Sequence, residues 1–216
     1  MENHPDAVPF KRALFVTMGF VALLWLIKLL EWWTGIELKT FGIYPRAPQG
    51  LGGIIFAPLI HGSFEHLMTN TAALLILGAS TLYGYPRAAR LIIPAIYVGS
   101  GLGVWLYARE TYHIGASGLT FGLMFFVFTI GVLRRDRRAS ALSMIVFFLY
   151  GSMIWGIFPG RPGISFEYHF FGAAIGIIGA IVLRKLDPAP PVKKYSWELE
   201  EEDDGEDPYR LVKTNL

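Results

Sequence analysis

Long apolar runs, each closed by Lys, Arg, Gly or Pro, divide this chain into segments. The pattern predicts helices over about 12–33, 64–83, 88–108, 117–133, 140–158 and 166–184. No charged side chain falls between Leu91 and Ala108, or between Ala139 and Gly160. Such runs approach the roughly 20 residues a helix needs to cross a hydrocarbon core of about 30 Å. The fold class that follows is all-α: a polytopic membrane protein built as a bundle of six transmembrane helices. Between the first two helices, "IIFAPLI" (Ile54 to Ile60) is apolar but too short to span, and Pro58 interrupts it. It reads as an interfacial or re-entrant piece. Ser63 is placed to cap the second helix, with Glu65 in its first turn.

Composition agrees. Of 216 residues, 53% are hydrophobic and only 17% charged, fewer charges than a water-soluble domain of this length carries. The first apolar run, Ala13 to Leu30, follows Lys11 and Arg12. It is longer than a signal-peptide core and shows no clear small-x-small cleavage site, so it is read as a retained helix. There is no cysteine, hence no disulfide or thiol chemistry.

Charge changes the picture at the C-terminal end. From Asp187 onward there are nine acids and four bases, which leaves the preceding chain near +7. "ELEEEDDGED" (Glu198 to Asp207) is too acidic to bury. Three parts are therefore expected: a short N-terminus (1–11), a six-helix membrane domain (12–186) and an acidic, disordered tail (187–216). In the helix flanks, ten Lys and Arg fall on one side (Lys11, Arg12, Arg87, Arg90, Arg134, Arg135, Arg137, Arg138, Arg184, Lys185). Four fall on the other (Lys39, Arg46, Arg109, Arg161). The excess puts both termini in the cytoplasm. These bases are flank charges rather than a stripe, so no nucleic-acid partner is implied, and the lipid bilayer is.

Several polar groups lie where lipid would make them costly. His66 and Asn70 share one face of the second helix, Ser117 opens the fourth, and His169 opens the sixth. At about 1.5 Å per residue, Ser117 stands roughly 26 Å from the level of Arg134, and His169 roughly 22 Å from that of Arg184. The two depths agree within a helical turn. Interhelical hydrogen bonding would account for any one of these groups alone. Gly118 and Gly122 on the fourth helix, and Gly172 and Gly176 on the sixth, have the spacing that lets helix backbones approach closely. Close packing there would bring a hydroxyl and an imidazole together.

Serine is a weak nucleophile until a base takes its proton, and a neutral His169 could do that for Ser117. A helix N-terminus at Ser117 offers unpaired N–H groups to an oxyanion. The Asn70 amide and the His66 ring are further donors. No acid is placed to be the third member of a triad, so the residues indicate a dyad.

"HGSFEHLMTN", "GASGLTFG" and "HFFGAAIG" together resemble the three signatures of the rhomboid intramembrane serine proteases. They occur in that family's order on the second, fourth and sixth helices, and "YPR" (Tyr44 to Arg46) in the first outer loop is also similar. The resemblance spans about 12–184 and is to the minimal six-helix form. It implies an endopeptidase that cuts transmembrane protein substrates near the outer membrane face, without cofactor or metal. Ser117 would be the nucleophile, His169 the base, and His66 with Asn70 the oxyanion-stabilising residues. Phe121 would take the aromatic position that stacks on the base, and His61 would be structural. The location implied is the cell membrane of a prokaryote. "PGRPGIS" (Pro159 to Ser165) is either a cap over a hydrated cavity or a plain turn. Two other readings compete: a non-catalytic relative that binds membrane clients, and a metal or proton transporter using His61, His66, His113 and His169. The first typically loses the serine or histidine kept here, and His66–Asn70 supplies the second with only one ligand at helical spacing.

Overall fold

A computed structural model describes residues 8–160 and 163–188. Among these residues, six helices are long and apolar enough to cross a membrane. They are α1 (Phe10–Thr34), α3 (Phe64–Gly84), α4 (Pro86–Tyr107), α5 (Ser117–Arg134), α6 (Arg137–Tyr150, continued by a 3-10 segment Gly151–Ile157) and α7 (Phe166–Leu183). A single turn, α2 (Gly53–Phe56), lies between the first two. Among the described residues the one β feature is a bridge between Ile43 and His113.

The helix starts follow from local chemistry. The Ser63 hydroxyl accepts the His66 N–H (3.0 Å) and Asp136 accepts the Ala139 N–H (2.9 Å). Ser165 accepts the Tyr168 N–H (3.2 Å), and Pro86 opens α4 where no N–H is needed. The cap at Asp136 starts α6 three residues before the apolar run predicts it. Burial works against the Asp136 charge, but the Ala139 N–H and Arg134 outweigh it, so its pKa lies below the ordinary carboxylate value. The last part of that run tightens to 3-10 geometry from Gly151 instead of remaining α-helical.

α5 is the central helix. Leu119, Phe121, Leu123, Met124, Phe126, Val127 and Ile130 are buried around its circumference. α1, by contrast, buries one stripe, Ala13, Thr17, Val21 and Leu24, at the three- and four-residue spacing of a helix face. Its other faces expose Phe15, Val16, Trp32 and Trp33, and α6 likewise exposes Phe147, Phe148 and Leu149. An exterior this apolar is matched to lipid, and the protein is a multi-pass membrane protein.

The segment after α1 packs on α4. Tyr97 donates to the Ile55 carbonyl (2.6 Å), Trp105 to Ala47 (3.0 Å) and Arg46 to Ala108 (2.8 Å). Any Cβ on Gly53 would collide with the backbone of Gly42, so the loop closes on itself at that point.

The opposite end is tied by Asp187. Its carboxylate accepts the N–H groups of Arg87 (2.9 Å) and Ala88 (3.0 Å), the first turn of α4. Its carbonyl accepts from Arg134 (2.7 Å), which also pairs with Asp136 (2.8 Å). The residue taken above to begin the tail is thus buried in the bundle; 189–216 lie outside the described residues. Truncation after Pro188 is expected to leave melting temperature and activity unchanged. Truncation after Leu186 removes the α4 cap, a loss of about 1 kcal/mol. Thermal melting of both proteins in detergent checks this, and equal melting temperatures would deny Asp187 its role.

Candidate active site

Ser117 is the first residue of α5 and is 8% exposed. The chain reaches it through Gly115, whose φ of 108° suits glycine. Two bonds fix this approach: Gly115 N–H to the Ala57 carbonyl (2.8 Å) and Ala116 N–H to His61 Nε2 (3.3 Å). The loop before the serine is thereby held by the segment that the sequence marked as re-entrant. Burial, reinforced by the neighbouring His66, pushes the His61 pKa down to about 3. The ring is therefore neutral, as accepting an N–H demands, and is unsuited to carrying protons. The first N–H groups of α5 have no intrahelical partners, so the serine sits at a concentration of donors.

His169 lies in the first turn of α7 and is also 8% exposed. Its ring is stacked on Phe121, centroids 3.9 Å apart and planes 6° from parallel. On its edge, Nδ1 is 2.9 Å from the Gly156 carbonyl. A carbonyl only accepts, so Nδ1 must carry the proton, and the neutral ring keeps a lone pair on Nε2. Where a triad would use a carboxylate to fix the tautomer, a backbone carbonyl does so here.

The two helices meet through their backbones. A Cβ on Gly172 would fall on the Gly118 carbonyl, and one on Gly176 on the Gly122 carbonyl. The arrangement differs in one respect from glycine facing glycine. The missing side chain of Gly118 points at the Tyr168 ring of α7 and that of Gly122 at Ile96 of α4, and it is the α5 carbonyls that Gly172 and Gly176 receive.

Asn70 is buried and its amide donates to the His66 carbonyl (3.1 Å). Its second amide hydrogen remains for another acceptor. Thr120 lies 3.5 Å from the Asn70 carbonyl oxygen and donates over 2.9 Å to the Ser117 carbonyl. His66 is half-buried, its ring meeting that of His61 edge-on at 5.1 Å and lying against Gly115.

The Rhomboid domain profile matches residues 48–186. The chain belongs to the rhomboid family. It is similar to uncharacterized proteins of Mycobacterium bovis and Mycobacterium tuberculosis, each 39% identical over 194 residues, 83% of this chain and 80% of the relative. An uncharacterized protein of Mycobacterium leprae is 34% identical over 176 residues, covering 77% and 69%.

Three residues of this rhomboid beside the candidate site, Gly156, Thr120 and Tyr168, carried no signal in the sequence. Gly156 leaves room for the Phe121–His169 stack, since its Cβ would lie 2.7 Å from Phe121 and 3.3 Å from His169 Nδ1. Thr120 holds the Ser117 carbonyl and Tyr168 fills the space beside Gly118, while His113, named above only as a possible transporter ligand, is buried within the loop that leads to the serine. Of Pro159 to Ser165, Arg161 and Pro162 lie outside the described residues, and Ser165 is the α7 cap.

Proposed function

We propose that this rhomboid is an intramembrane serine endopeptidase that cuts transmembrane proteins with Ser117 as nucleophile and His169 as general base. The observation that carries the reading is the state of the His169 ring. Phe121 holds its face, the Gly156 carbonyl accepts its Nδ1–H, and Nε2 is the atom left to act.

In the reaction, the Ser117 Oγ–H proton passes to Nε2 as Oγ bonds to the scissile carbonyl carbon. The resulting oxyanion is stabilised by N–H groups at the start of α5, with Asn70 and His66 as further donors. As the tetrahedral species collapses, the C–N bond breaks and the Nε2 proton goes to the leaving amine. A water, deprotonated by the same nitrogen, then releases the acyl group from Ser117. Phe121 keeps the imidazole from rotating between these steps. No cofactor or metal enters.

The Lys and Arg distribution supports an orientation with both termini in the cytoplasm and the dyad near the outer face of a prokaryotic cell membrane. Substrates then present a peptide bond at the outer end of a spanning helix. To test this, the purified protein is reconstituted with a single-span model substrate and the fragment masses are read. A cut in the outer third of the span is expected; a cut confined to soluble flanks contradicts it.

Asn70→Ala is expected to lower kcat by about tenfold to a hundredfold. One oxyanion donor is worth about 2.7–4 kcal/mol where it dominates, and here other donors remain. Turnover and melting temperature are measured side by side. A large loss of thermal stability with unchanged kcat per folded molecule would make Asn70 purely structural.

A further inference from the structure

His113 lies in the loop that leads to Ser117, meets Ser165 at the start of α7, and is only 2% exposed. Its backbone is fixed by the bridge to Ile43. Its ring makes two bonds: Nε2 lies 3.0 Å from the Arg109 carbonyl, and Nδ1 lies 2.6 Å from the Ser165 hydroxyl. The carbonyl can only accept, so Nε2 bears the proton and Nδ1 must accept from Ser165. Ser165 Oγ meanwhile accepts the Tyr168 N–H as the α7 cap. A single orientation satisfies every group: Tyr168 N–H to Ser165 Oγ, Ser165 O–H to His113 Nδ1, His113 Nε2–H to Arg109. Burial lowers the His113 pKa, and the Arg109 carbonyl and Glu167 offset this only in part. The ring is therefore neutral at pH 7, the state this chain of bonds needs.

The same junction is reinforced beside His113. Arg109 donates through its main-chain N–H (3.4 Å) and pairs through Nε (3.2 Å) with the buried Glu167. It also donates to the Ile164 carbonyl and lies over the Phe166 ring. Two residues beyond Glu167 is His169, and between them the Tyr168 ring rests on Gly118, next to Ser117. The loop leading to the nucleophile and the turn bearing the base are thus joined through polar side chains, apart from the glycine contacts deeper in the bundle.

We infer that His113 and Ser165 form a positioning pair that sets His169 against Ser117. The pair touches neither substrate nor reacting atoms. It acts by fixing the first turn of α7, and displacements of about 1 Å there are costly to a reaction that depends on geometry. The inference rests on the protease reading above.

The test compares kcat per active site, titrated with a fluorophosphonate, with KM and melting temperature. Ser165→Gly removes the hydroxyl, and glycine is tolerated at a helix cap, so the protein is expected to fold. His113→Gln keeps a donor near Nε2 but loses the acceptor facing Ser165. His113→Asn keeps an acceptor near Nδ1. Ser165→Gly and His113→Gln should each lower kcat per site about tenfold or more with KM unchanged. The double variant should be no worse than either, because both break one link. His113→Asn should recover most of the rate. Wild-type kcat per site in Ser165→Gly, or a double variant whose losses multiply, overturns the pair. A wild-type protein with no labelling and no turnover instead defeats the protease reading, which separates the two failures.

Discussion

Ser117→Ala and His169→Ala are each expected to reduce cleavage by about 10⁴-fold or more while leaving the fold intact. The expectation rests on the division of labour at the site. Serine alone is a poor nucleophile, and the imidazole that would activate it has one nitrogen committed to Gly156 and one left over. Groups that work as a unit lose function non-additively, so the double variant should be about as inactive as either single. Ser117→Ala loses one oxygen and should melt as wild type, whereas His169→Ala empties the space beside Phe121 and frees the Gly156 carbonyl, so it should melt lower while staying folded. Cleavage is followed with a reconstituted transmembrane substrate. Substantial turnover by either single variant would remove that residue from the chemistry.

Gly172→Val is expected to lower turnover about a hundredfold, although Gly172 has no chemical group to lose. Its Cβ would fall on the backbone carbonyl of Gly118, the residue after Ser117. A side-chain neighbour could turn aside, whereas a helix backbone must move as a body. Forced overpacking costs about 1–3 kcal/mol, and a displacement of about 1 Å between nucleophile and base costs about a hundredfold in rate. Gly176→Val strikes the Gly122 carbonyl one turn deeper and should affect melting temperature more than kcat. Gly118→Ala meets the Tyr168 ring instead, a different collision within the same junction. Turnover and melting temperature are measured for each variant. A Gly172→Val protein with wild-type rate and stability would show that α5 and α7 do not meet there.

Much of this architecture is legible in the sequence because the membrane imposes strong rules. Long apolar runs locate the six spans, and Ser63 followed by Glu65 marks the start of α3. Polar residues at comparable depth on three helices draw attention to Ser117, His169, His66 and Asn70, since a lipid-facing polar group is costly. The glycine spacing reveals that α5 and α7 approach, but not which atoms touch. Four-residue spacing defines a face, and whether Cα or carbonyl turns to the partner depends on helix rotation.

What stayed hidden depends on partners distant in sequence. Gly156 matters because Phe121 and His169 meet above it, and nothing in its own neighbourhood says so. His113 follows the polar stretch Arg109, Glu110 and Thr111 and reads as a loop position. Its burial arises from the bridge to Ile43 and from Ser165, 52 residues further on. Asp187 begins a tail whose net acidity reads as solvated, yet the α4 N-terminus lies within its reach. Local pattern describes what a segment prefers, while these residues are defined by what folds against them.

The most direct test of the account is covalent labelling of the detergent-purified protein with a fluorophosphonate, with the adduct located by peptide mass. A single adduct on Ser117 is the expected result, absent from Ser117→Ala and lost or greatly slowed in His169→Ala. Folded wild-type protein that takes no label, or that is labelled equally in Ser117→Ala, would contradict it.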